Sequence, residues 1–243
     1  MQSTQERTHA VIDFGSKLTV YSKNFVDLGE DIYHPKEKGG RSRRLAQHYA
    51  TYNPLNGEMK VTRLITQPFI QGESNKLTGH IARPIESSLP ECDLRPYVKL
   101  GFEQIKELDD FESEPSAWLV NCHQVRTHSA STRDGIPVPE GVHKDGADFV
   151  IMGCVDKKGV TGGVSTIHES EDGPDVFKTT LEPGKALVVK DREVYHMVSP
   201  ISSINEGESG YRDMILMGFH KWERDHYRFD WKDNIYSEET REH

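Results

Sequence analysis

Of the twelve histidines in this chain, only His143 is followed two residues later by an acid, in Val142-His143-Lys144-Asp145-Gly146. Read as an extended strand, positions i and i+2 share a face. The His143 imidazole and the Asp145 carboxylate then stand side by side, with Lys144 turned away. A metal held by this pair needs a third ligand from elsewhere in the chain. Two histidines and one carboxylate on one face of an octahedron leave three positions open, which suits Fe(II) oxygen chemistry outside haem. Because H-x-D is common by chance, its surroundings must carry the reading.

His196 is the candidate third ligand. Leu181 to Val189 reads as a turn at Pro183-Gly184 entering a buried strand, and Asp191-Arg192-Glu193-Val194-Tyr195-His196 brings the chain back toward a rim. Arg212, in Gly210-Tyr211-Arg212-Asp213-Met214-Ile215-Leu216, opens the last apolar strand. A buried guanidinium needs a partner. That partner is either a ligand carboxylate, gripped in the bidentate planar manner that lysine cannot reproduce, or a protein acid such as Asp213. There is no recognisable serine or cysteine nucleophile motif, so no catalytic group is expected beyond the metal site.

The elements that must position these residues are short strands. Residues 118–127, 149–155, 163–168, 185–189 and 214–219 are apolar or alternating, with turn signals at Asp134-Gly135, Gly162-Gly163, Asp172-Gly173-Pro174 and Pro183-Gly184. Strands without intervening helices point to a sandwich or barrel. Upstream, Asn56-Gly57 marks a hairpin between residues 45–53 and 59–66. One helix is expected over 93–108, where Val98, Phe102, Ile105 and Leu108 form an apolar stripe. Phe25, Val26 and Leu28 are expected to anchor the N-terminal region. Residues 35–40 and 72–75 read as loops, 109–115 as an acidic connector, and 129–141 as a lid or a passive connector. The aromatic and charged stretch 222–231 reads as a docked flap or helix.

Composition bounds the rest. At 243 residues, all-β folds commonly form one unit, and no repeat or low-complexity linker divides the chain. A net charge of −9, from 39 acidic and 30 basic residues, argues against a nucleic-acid partner. The one dense basic run, Arg41-Ser42-Arg43-Arg44, reads as a solvated face. Cys92, Cys122 and Cys154 fit neither a disulfide framework nor a C-x-x-C zinc site, so a reducing, cytoplasmic setting is expected. The N-terminal residues lack an apolar signal segment, and the apolar run 149–155 is too short to span a bilayer.

Several motifs in order carry a resemblance: W-L-V-N-C-H-Q-V-R from Trp118, P-E-G-V-H-K-D-G-A-D-F-V from Pro139, G-G-V-S-T-I from Gly162, D-R-E-V-Y-H-M-V-S-P-I from Asp191 and Y-R-D-M-I-L from Tyr211. With P-F-I-Q-G-E-S-N-K-L-T-G-H-I-A-R-P-I from Pro68, the stretch from Arg41 to Phe219 resembles the Fe(II)/2-oxoglutarate dioxygenases related to L-isoleucine 4-hydroxylase. The resemblance implies a mainly β double-stranded β-helix (a cupin-like jelly roll) with a few flanking helices, formed by residues 1–243 as one dioxygenase domain. It implies Fe(II) as cofactor, with 2-oxoglutarate and O2 as cosubstrates and a free L-amino acid or close derivative as substrate. His143, Asp145 and His196 become the iron ligands, and Arg212 the partner of the distal 2-oxoglutarate carboxylate. One departure is Lys157-Lys158, where the family leads one to expect an arginine–asparagine pair.

For an amino-acid substrate, Gln124 and Arg126 are candidates, sharing a strand face with Trp118 and Cys122. Arg126 would take the carboxylate and Gln124 the ammonium or the cosubstrate, unless both support the metal shell or the 129–141 loop. Gln71 and Arg83 are further candidates. Two rival readings keep the barrel: a cupin-like metal-dependent dioxygenase or isomerase that does not use 2-oxoglutarate, and a non-catalytic small-molecule binding barrel.

Overall fold

A computed structural model describes residues 7–34, 39–72, 75–108, 114–130 and 132–222. Twelve strands and two α-helices follow one another as β1 (His9–Asp13), α1 (Ser16–Thr19), a 3₁₀ turn (Val20–Phe25), β2 (Gly40–Asn53), β3 (Glu58–Arg63), α2 (Arg95–Lys106), β4 (Ser116–Ser129), β5 (Phe149–Lys158), β6 (Val160–Gly162), β7 (Val164–His168), β8 (Asp175–Thr180), β9 (Lys185–Lys190), β10 (Tyr195–Val198), β11 (Ile201–Ser203) and β12 (Gly210–Lys221). The main sheet runs β1-β9-β5-β12-β4-β2-β3, faced by the smaller sheets β10-β7-β8 and β11-β6. Every pairing between these strands is antiparallel. This is the expected mainly β jelly roll.

Strand alternation gives the main sheet two faces. On β5, Phe149 and Ile151 join Trp118, Val120 and Cys122 of β4 and Ile215, Met217 and Phe219 of β12 in a core covered by α2. Val150, Met152 and Cys154 point the other way, to Ile167, Leu187, Val189 and Met214 between the sheets. The helix presents Val98, Phe102 and Ile105 to the first core, as its stripe predicts. Gly101 lets it approach closely: a Cβ there would lie 2.8 Å from both Ile151 Cδ1 and Met217 Cε. Asp93 accepts the Arg95 backbone N–H at 3.0 Å and so supports the helix start.

The Asn56-Gly57 turn joins β2 to β3 as expected. Phe25 is buried and Leu28 packs on the core, but Val26 is 61% exposed and anchors nothing. The H-x-D motif departs from expectation. His143 forms an isolated bridge with His196, and β5 begins only at Phe149. Residues 144–148 form a loop. The stretch 222–231 lies outside the described residues apart from Trp222, whose ring packs edge-on against Tyr49. No helix among the described residues is long and apolar enough to cross a membrane.

Candidate metal centre and cavity

Because residues directly opposite one another on paired strands project to the same side, the His143–His196 bridge sets two imidazoles together. His143 N donates to His196 O at 3.1 Å, His196 N donates to His143 O at 2.9 Å, and the rings meet edge to face at 4.4 Å. Asp145 completes the group. Its Oδ1 lies 3.6 Å from His143 Nε2 and its Oδ2 3.6 Å from His196 Nε2. One donor atom from each of the three residues lies within 4.8 Å of the others. His143 Nδ1 faces the Gly141 carbonyl at 3.0 Å, which leaves Nε2 for a metal. The donor set fits an open-sided Fe(II) site, with two neutral nitrogens and one anionic oxygen.

The electrostatics match a site that exchanges a proton for a cation. Burial opposes charge on His143, but the Asp145 hydrogen bond and charge, with Glu140 and the Gly141 carbonyl, outweigh it. Its pKa rises to about 9. Asp145 moves the opposite way: burial works to raise its pKa, and His143, His196 and His123 overcome that and hold it well below the carboxylate range.

The triad opens on a cavity in the mouth of the barrel, lined also by Arg41, Arg43, Gln71, Asn75, Arg83, Glu140 and Arg212. Arg212 comes from the inward face of β12, together with Met214 and Leu216. It is buried, burial lowers its pKa, and its Nη2 has no hydrogen-bond partner. Ser165 Oγ on β7, also on the cavity wall, is likewise buried and unpartnered. Such groups cost free energy unless something pairs with them. Arg83 is a second case: Nη2 donates to Gln71 Oε1 at 2.5 Å, while Nε is buried without a partner. Gln71 Nε2 in turn donates to Asp145 Oδ1 at 3.1 Å. Asn75 Nδ2 bridges Gln71 Oε1 (3.0 Å) and Glu140 Oε1 (3.2 Å).

The structure does not bring Gln124 and Arg126 to this cavity. Both lie on the β4 face that Trp118 and Cys122 turn toward α2, whereas Val125 and Thr127 line the cavity. Gln124 Nε2 donates to the Asn24 carbonyl at 2.9 Å. Arg126 forms two 2.7 Å bonds to the buried Asp213 and lies 4.2 Å from the centre of the Tyr211 ring. Asp213 therefore pairs with Arg126, and the acid foreseen as a possible partner of Arg212 is taken.

The same alternation corrects the basic run. Arg41 and Arg43 face the cavity and share Asp31, at 2.8 and 3.7 Å. Arg43 also donates to His123 Nδ1, with Nη2 at 2.9 Å. Arg44, on the opposite face, pairs with Glu86 at 3.2 Å. A period-two reading of Arg41-Ser42-Arg43-Arg44 would have separated them. In the 129–141 segment, Gly135 bridges Ile201, the Pro137 carbonyl accepts from Arg41 at 3.1 Å, and Glu140 meets Asn75. Lys157 stands opposite Arg212 across the β5–β12 pair and is held by Glu182 at 2.6 Å, next to but not among the residues that line the cavity.

Residues 22–218 match the family described as 2OG-Fe dioxygenase, where 2OG is 2-oxoglutarate. The chain belongs to that family. This 2OG-Fe dioxygenase therefore uses Fe(II), 2-oxoglutarate and O2. Its fold is shared with a bsmA homolog from Methylobium petroleophilum PM1 (TM-score 0.71, 23% identity, 91% of each chain covered). It is shared too with IDO from Bacillus thuringiensis (TM-score 0.66, 19% identity, 88% of this chain and 94% of that one). The bifunctional enzyme flvA of Aspergillus flavus is 25% identical over 114 residues, 41% of this chain but only 14% of that protein.

Proposed function

We propose that this dioxygenase hydroxylates a C–H bond of a free L-amino acid or a close derivative. One C–H bond becomes C–OH, and 2-oxoglutarate and O2 are consumed to give succinate and CO2. The observation that carries the substrate class is a cavity with two buried guanidinium groups that each keep an unpartnered N–H, Arg212 and Arg83. One carboxylate-bearing cosubstrate accounts for only one of them.

In this reading His143, Asp145 and His196 hold the iron. The iron, once bound, supplies the activation of oxygen, and the chain supplies orientation and exclusion of water. Arg212 grips the distal carboxylate of 2-oxoglutarate, with the Ser165 hydroxyl beside it. Arg83, backed by Gln71, receives the substrate carboxylate. Glu140, held by Asn75, offers the one lining carboxylate besides Asp145 among the described residues, and it suits an α-ammonium. A zwitterion is thus met by complementary charges on one wall. The three free, buried cysteines suit a reducing compartment, and a cytoplasmic setting is part of the same proposal.

The test is turnover. Iron-loaded enzyme with 2-oxoglutarate and a panel of L-amino acids should yield succinate and a product heavier by one oxygen atom, read by mass spectrometry. Succinate without any oxygenated amino acid across the panel would remove the substrate class.

A further inference from the structure

Asp191 sits one residue beyond β9 and is fully buried, yet it touches neither the cavity nor solvent. Its carboxylate gathers four nitrogen partners. Oδ1 accepts the Asp145 backbone N–H at 3.0 Å and lies 3.0 Å from His196 Nε2. Oδ2 accepts the N–H of Gly146 at 2.8 Å and of Ala147 at 3.0 Å. Three successive amides can converge on one carboxylate because Gly146 adopts a φ of +84°, which folds the loop into an anion-binding nest. The backbone answers in the other direction, with Asp191 N donating to the Asp148 carbonyl at 3.2 Å.

We propose that Asp191 is the positioning residue of the metal centre, fixing the loop that carries Asp145. This rests on the assignment of His143, Asp145 and His196 as metal ligands. The need is physical. The loop after His143 lacks a strand ladder to hold it, and a carboxylate ligand on an untethered loop would have to be ordered each time a metal binds. One buried carboxylate removes that cost for Asp145; its contact with His196 is to Nε2, the nitrogen that faces Asp145, and gives way when that nitrogen takes a metal. Groups in this role typically account for about 10–100-fold in metal affinity.

The experiment compares the full-length protein with Asp191→Asn, Asp191→Ala and His143→Ala, titrated with Co(II) alone well below the unfolding temperature. Readouts are the Co(II) dissociation constant, the visible spectrum of the bound ion, and the melting temperature without metal. Asp191→Asn keeps the volume and one oxygen for Gly146 and Ala147, but turns a donor toward the Asp145 N–H, so it tests the role even if Asp191→Ala does not fold. The expected result is Co(II) binding weakened about 10–100-fold in Asp191→Asn, with a wild-type spectrum at saturation. An altered spectrum at saturation would make Asp191 a ligand and overturn the proposal. So would a lowered melting temperature with unchanged Co(II) affinity, the mark of a purely structural residue. If His143→Ala leaves Co(II) binding untouched, the ligand assignment falls and the proposal with it. If His143→Ala loses the metal while Asp191→Asn does not, the proposal falls alone.

Discussion

Gln71 Nε2 donates to Asp145 Oδ1 across 3.1 Å, and Gln71 Oε1 accepts from Arg83. The side chain that orients Arg83, the arginine proposed to bind substrate, therefore also holds one oxygen of the proposed iron ligand. Gln71→Leu breaks both bonds and leaves Arg83 with a further unpaired donor. Loss of one such bond to a charged group costs about 1.5–3 kcal/mol. The expected outcome is a fall in kcat/KM of at least tenfold, with more succinate than hydroxylated product. A product-to-succinate ratio equal to wild type would disconnect Gln71 from the iron.

Arg212 carries a buried guanidinium whose Nη2 has no protein partner. Replacing it with Met removes a desolvated charge that Cys154 and Glu182 compensate only in part, so stability without 2-oxoglutarate should be equal or higher. The KM for 2-oxoglutarate should rise about 100-fold, the equivalent of losing roughly 3 kcal/mol of charge-assisted bidentate pairing. Thermal melts with and without 2-oxoglutarate provide the check, because the cosubstrate should stabilise wild type and leave Arg212→Met unmoved.

His143 and Asp145 make metal loading dependent on pH. In the metal-free protein His143 has a pKa of about 9, above its ordinary 6.5. Its pairing with Asp145 thus stabilises the fold fully below about pH 6.5 and is lost as pH rises through about 9. The Asp145 contribution is present above the ordinary carboxylate range and disappears on strong acidification. A metal must displace the His143 proton, so loading near neutral pH should release about one proton, and affinity should climb with pH until His143 has titrated. Calorimetry in two buffers of different ionisation heat measures that proton directly. A heat that does not depend on the buffer would contradict the pairing.

Arg126 is predicted to matter for stability and not for chemistry. Burial raises the Asp213 pKa to about 6 even though Arg126 pulls it down. Ionised Asp213 is therefore disfavoured in the folded state, and stability should decline as pH rises from about 4 to about 6. Arg126→Leu strands the carboxylate and should cost roughly 3 kcal/mol in urea unfolding near neutral pH, with KM for both substrates unchanged. A raised substrate KM at full stability would instead bring Arg126 into the binding site.

Much of the architecture was legible because each local signal had one outcome. The apolar stripe of Val98, Phe102 and Ile105 could bury itself only as a helix, and Asn56-Gly57 only as a turn. The site was harder. His143, Asp145 and His196 could be picked out by residue type, but the reason they meet is a two-residue bridge and a loop held by Asp191, not the strand that H-x-D suggests. Asp191 gave no signal, since an aspartate in Asp191-Arg192-Glu193 reads as an exposed turn until its four nitrogen partners are seen.

By itself the amino-acid order determined a strand-built sandwich or barrel, which the family resemblance narrowed to a jelly roll, together with the chemistry of the metal-binding set and the need for an anion partner at Arg212. These depend on residue type and on spacing along one segment. Tertiary structure alone decided which arginines serve the cavity. A strand shows its period of two but not which of its faces lies inward, and only the packing of α2 against Trp118 and Cys122 turned Arg126 toward Asp213 while Arg41 and Arg43 met the cavity.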